Sequence, residues 1–75
     1  MLDVKKIRRL RRMRDLSQTE FAAMVGYDAV SSVSRLERGQ MGTTLERLER
    51  IAGILGVNTT ELFQTKNEME EKGHD

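Results

Sequence analysis

Apolar residues open the chain at three-residue steps, Val4, Ile7, Leu10 and Met13, which is the spacing of one helix face. Ser17 follows with Glu20 three residues on, a capping-box pair, so a second helix starts there and carries Phe21, Ala22, Met24 and Val25 until Gly26 stops it. Asp28 is the next N-cap candidate, and Val30, Val33 and Leu36 form the inner stripe of a third helix ending at Gly39. Residues 40–43, QMGT, break the pattern. Thr43 with Glu46 predicts another capping box, opening a fourth helix whose Leu45, Leu48, Ile51, Ala52 and Leu55 face inward until Gly56. Asn58 with Glu61 caps a short fifth helix carrying Leu62 and Phe63. Residues 64–75 are polar apart from Met69 and predict a tail that is disordered or extends a dimer interface. With no strand-like alternation and no internal repeat, the expectation is an all-α, compact five-helix domain over 1–63, followed by that tail.

Advancing roughly 100° per residue along the third helix from Val33 puts Val30 and Leu36 within about 60° on either side. Ser31, Arg35 and Arg38 then fall on the opposite face, with Ser32 and Ser34 on the flanks. An outer face of small hydroxyls around guanidinium groups is unusual for a solvated helix, since serine is a poor helix former. It suits a groove: small side chains allow close approach, hydroxyls reach phosphate oxygens, and arginine forks onto guanine O6 and N7. The same count sets Glu37 at roughly 40°, inside the apolar arc, and Arg11 between Ile7 and Val4 on the inner side of the first helix. Either charge buried alone costs several kcal/mol (a magnitude of order ~3–5), whereas together they form a bidentate pair, so Arg11 and Glu37 are expected to bridge the two helices. The alternative is that both side chains run past the core edge to water.

Composition removes several classes. A chain of 75 residues makes one small domain, and with no cysteine and the single histidine His74 it has neither a disulfide framework nor an ordinary metal cluster. No cofactor is called for. The opening MLDVKKIRRLRRMR carries charges every few residues and no apolar run of signal or membrane length, so a cytoplasmic protein without membrane contact is expected. Charge is divided along the chain: residues 1–38 hold nine Lys or Arg against five acids, and residues 39–75 hold four against seven. That division turns the N-terminal half toward a polyanion, the bland alternative being a solvated charged helix.

The order Leu10-Arg11, Leu16-Ser17-Gln18-x-Glu20-Phe21-Ala22, Gly26, Val33-Ser34-Arg35-Leu36-Glu37-Arg38-Gly39, Thr44-Leu45-x-x-Leu48-x-x-Ile51-Ala52, Leu55-Gly56-Val57 and Glu61-Leu62-Phe63 resembles the phage repressor and Cro family of helix-turn-helix DNA-binding proteins. The resemblance spans about residues 4–63. It implies that the second helix crosses the DNA backbone, with Gln18 on a phosphate, and that the third lies in the major groove. Counting back from Glu37, it implies base reading by Val30, Ser31 and Arg35 and backbone contacts by Ser32 and Arg38, with Ser34 beside them. It also implies the inter-helix ion pair at Arg11 and Glu37. Two departures stand out. One extra residue lies between Gly26 and Val33, leaving the register at Ala29, Val30 and Ser31 open by one position. QMGT also replaces a segment that is commonly basic in relatives, so fewer phosphate contacts are expected there.

Catalysis is not expected, because His74 has no partner nucleophile and no Gly-rich phosphate loop precedes a helix. The sequence therefore points to a transcriptional regulator, a repressor, bound to double-stranded DNA as a homodimer on a palindromic operator. The alternative is an antitoxin-type module of the same fold whose decisive partner is a protein. One recognition helix reads only a few base pairs, so two modules must be joined, and Ile54, Leu62 and Phe63 are the candidate dimer patch.

Overall fold

The computed structural model describes residues 1–64; the tail expected over the remaining residues lies outside that range. Four α-helices follow in order: α1 (Val4–Met13), α2 (Gln18–Val25), α3 (Val30–Glu37) and α4 (Leu45–Leu55). The expected fifth helix is instead a single 3-10 turn, Thr59–Leu62. Its extension stops at Phe63, whose backbone is extended and bridges Leu2 in antiparallel fashion. The backbone N–H of Asp3 donates to the Leu62 carbonyl at 2.7 Å and that of Gln64 to the Met1 carbonyl at 2.8 Å.

Local chemistry sets each boundary. The Asp3 carboxylate accepts from the Lys6 N–H and starts α1, which stops where Asp15 turns left-handed at φ 57°. Ser17 and Glu20 form both halves of the capping box of α2, and Gly26, at φ 96°, ends it. Two starts lie one residue beyond their predicted places. Ala29, not Asp28, precedes α3 and offers no side-chain cap; Thr44, not Thr43, caps α4 by accepting from the Arg47 N–H at 3.1 Å. Adjacent threonines are equivalent in the one-dimensional pattern, and here Thr43 turns toward Tyr27, its Oγ1 lying 3.5 Å from the phenol oxygen.

Ile7, Phe21, Val25, Val33, Leu36, Ile51, Leu55 and Leu62 are fully buried and make one core shared by all four helices and the 3-10 turn. Four apolar residues counted in the helical stripes are exposed instead: Met13, Met24, Val30 and Leu45. Met13 closes α1 and Leu45 opens α4, so both stand beyond the ends of the packed segment. Leu62 corrects the expected dimer patch, because with no surface exposed it belongs to the core and has nothing to offer a partner. Ile54 is partly buried against the core, and Phe63 is 41% exposed.

Candidate nucleic-acid interface

The two faces of α3 differ sharply. Val33, Leu36 and Glu37 are buried, whereas Val30, Ser31, Arg35 and Arg38 are exposed and Ser32 and Ser34 are half-buried. Ser31 and Arg35 stand four residues apart and so project from the same side of the helix. Val30 departs from the inner stripe: as the first residue of α3 it is 42% exposed, and Tyr27 is the residue of this segment that enters the core. Its methyls are thus on the surface beside Ser31. Arg38 folds back, its Nε donating to the Ser34 carbonyl at 3.3 Å.

Beneath that face lies a buried polar network. Arg11 donates from Nε to Glu37 Oε2 at 2.7 Å and from Nη2 to Oε1 at 3.2 Å, while its Nη1 donates to the Leu16 carbonyl at 2.6 Å. Gln18 Nε2 adds a bond to Glu37 Oε1 at 3.1 Å. Arg11 and Glu37 are 6% and 7% exposed, a depth at which an unpaired charge would be strongly destabilising. Four segments are joined through one carboxylate and one guanidinium: α1, the α1–α2 loop, α2 and α3. The side chain of Gln18 is therefore half-buried and spends one amide hydrogen inward, leaving the other for an outside acceptor.

A second support was not legible in the sequence. Arg47 of α4 donates to the Gly26 carbonyl at 3.3 Å and Arg50 to the Val25 carbonyl at 3.4 Å, so two cations meet the carbonyl end of α2, where the helix dipole favours them. The Arg47 guanidinium also lies 4.6 Å from the centre of the Tyr27 ring. Residues 27–29 form the turn ahead of α3, and the helix is continuous from Val30 to Glu37. The only sequence signal for this clamp was a lone tyrosine at a turn, with nothing to connect it to arginines twenty residues away.

Two helices joined by a short turn, the second with its outer side free, make a helix-turn-helix arrangement, and the family model described as helix-turn-helix matches residues 7–62. The chain belongs to the helix-turn-helix family of the phage repressor and Cro type. In this helix-turn-helix protein, then, α2 and α3 are the paired helices of a DNA-binding transcription-regulator domain. Among solved structures, it is similar to the restriction-modification controller protein C.AhdI from Aeromonas hydrophila, at 35% identity over 80% of this chain and 89% of that one, with a TM-score of 0.72. It is also similar to the SinR protein/SinI protein complex, at 26% identity and a TM-score of 0.76, covering 91% of this chain but 66% of the solved one. No curated protein sequence matches. Among the described residues no helix is long and apolar enough to cross a membrane.

Proposed function

We propose that this protein is a cytoplasmic, non-catalytic repressor that reads a palindromic operator as a homodimer, with α3 in the major groove. The observation that carries the reading is the outer face of α3: an exposed Arg35 without an ionic partner among the described residues, flanked by Ser31 and Val30, on a helix whose inner side is locked by Glu37. Arg35 suits the O6 and N7 acceptors of a guanine, Ser31 either groove edge, and the Val30 methyls a thymine methyl. Ser32, Ser34, Arg38 and the free amide hydrogen of Gln18 then serve the phosphates that set orientation. Of the expected dimer patch, Ile54 and Phe63 remain to join two copies.

Selection of bound sites from a random duplex library tests this reading. The expected result is an enriched site with two inverted half-sites about one helical turn apart. Retention without enrichment would make the protein a charge-driven binder and would overturn it. The second reading is a module whose decisive partner is a protein, as for an antitoxin, and its support is the likeness to a chain solved in complex with another protein. Co-purification of a neighbouring small protein that abolishes site selection would favour it.

A further inference from the structure

The outer face of α1 carries Lys5, Arg8, Arg9 and Arg12, all exposed and none within salt-bridge distance of an acid among the described residues. At positions i, i+3, i+4 and i+7 they fall within about 100° of one another and form one stripe. The stripe is costly to the helix that bears it. Like charges repel at each three- and four-residue step; the Asp3 cap answers the dipole at the start of α1 and Arg12 suits its last turn, so the mutual repulsion along the stripe is the cost. No acid among the described residues pairs with the four stripe cations, and a local rule broken in this way is expected at a functional surface.

That partner is indicated by what the stripe adjoins. Lys5, Arg8, Arg9 and Arg12 line an open groove together with Arg38 and Glu37 from the end of α3. Glu37 offers an incoming anion little repulsion, since Arg11 and Gln18 already occupy its oxygens. Arg38 belongs both to this groove and to the outer side of α3, so a polyanion seated on α3 reaches the stripe without leaving the protein surface.

We propose that the α1 stripe is a second DNA contact, in which Lys5, Arg8, Arg9 and Arg12 hold backbone phosphates of the duplex flanking the bases read by α3. The inference rests on the reading of α3 as the groove-binding helix and assigns that complex an additional, sequence-blind surface. Arginine forks match phosphate oxygens, and each phosphate neutralised releases counterions and steepens the salt dependence of binding.

The test compares wild type, the triple variant Arg8→Ala/Arg9→Ala/Arg12→Ala and the charge-preserving Arg8→Lys/Arg9→Lys/Arg12→Lys on a selected site, either trimmed to the bases read or extended by about ten base pairs on each side. The alanine variant is expected to lower the slope of log K against log salt by about 2 to 3 on the extended duplex and to lose affinity equally for all sequences. It should gain nothing from the extension, and the lysine variant should keep the slope. Alanine is the best helix former and removes repulsion, so thermal melting at low salt should be unchanged or higher, which separates lost contacts from lost fold. An unchanged slope and affinity in the alanine variant, with base preference intact, would overturn the stripe and leave the α3 reading standing. If wild type shows no preference among duplexes while the slope change persists, the α3 reading fails and the phosphate contact survives. Binding of poly-glutamate that is lost in the alanine variant while the DNA slope stays constant would assign the stripe to an acidic protein and overturn the proposal.

Discussion

Arg11 and Glu37, 26 positions apart in the chain, meet through two hydrogen bonds, 2.7 Å and 3.2 Å. The pair is planar against planar, buried on both sides, and further tied to the Leu16 carbonyl and the Gln18 amide. Glu37 is also the last residue of α3, so the bond that joins the helices fixes the roll of the helix that carries Arg35.

Glu37→Ala leaves the Arg11 guanidinium buried without its carboxylate and is expected to destabilise by about 3 to 5 kcal/mol. Replacing both residues with apolar ones, Arg11→Met with Glu37→Leu, should recover much of that loss, because neither charge is then stranded. Urea melts of the two singles and the double measure the coupling, and strictly additive losses would contradict the geometry.

Arg35→Ala touches nothing buried, so melting should be unaffected. Affinity for the preferred site is expected to fall by about 1 to 3 kcal/mol, with preference flattened at one base position. Titration against the preferred duplex and single-base variants of it reads this directly; equal weakening on every duplex would make Arg35 a phosphate contact instead.

Leu62 and Phe63 are neighbours with opposite fates. Leu62→Ala opens a cavity in the core and should cost about 2 to 5 kcal/mol in a denaturant melt. Phe63→Glu should leave the melt nearly unchanged and, in sedimentation, convert a concentration-dependent dimer to monomer. Binding of a full palindrome then weakens while a half-site is bound as before. A Phe63→Glu protein that remains dimeric would move the interface elsewhere.

Gly26→Ala meets two obstacles of different size. A Cβ would stand 3.0 Å from Arg50 Nη1, the far end of a flexible side chain, whereas the φ of 96° is fixed by the chain reversal between α2 and the turn. The backbone conformation should dominate, at about 1 to 2 kcal/mol. Arg50→Ala in the same chain should therefore not restore stability; a full rescue in thermal melts would show that the side-chain clash was the larger effect.

Much of this domain is legible in one dimension because helices repeat on a short period. The stripes through Ile7, Phe21, Val33, Leu36, Ile51 and Leu55 are core in the structure, and two inward charges on separate helices are joined there. What spacing cannot supply is the third dimension of short segments. A four-residue turn and a two-turn helix have the same caps, so Asn58 and Glu61 marked a start without marking a length. Surplus apolar groups near the end could not be divided between core and surface; Leu62 is core because its carbonyl accepts from the Asp3 N–H and the 3-10 turn packs against α1 and α4. Tyr27, Arg47 and Arg50 form their clamp across two helices, with no local periodicity to announce it.

Asp3 has a hand in both ends of the fold: its carboxylate starts α1, and its backbone N–H holds the carbonyl of Leu62 while Gln64 reaches back to Met1. The described chain is therefore a ring closed by hydrogen bonds rather than a line with two loose ends. Fraying there is a shared event, since an opening that frees the Gln64 amide also exposes the Asp3 amide to water and slackens the first turn of α1. Strain applied at Gln64 is therefore felt at the first turn of the arginine-bearing helix.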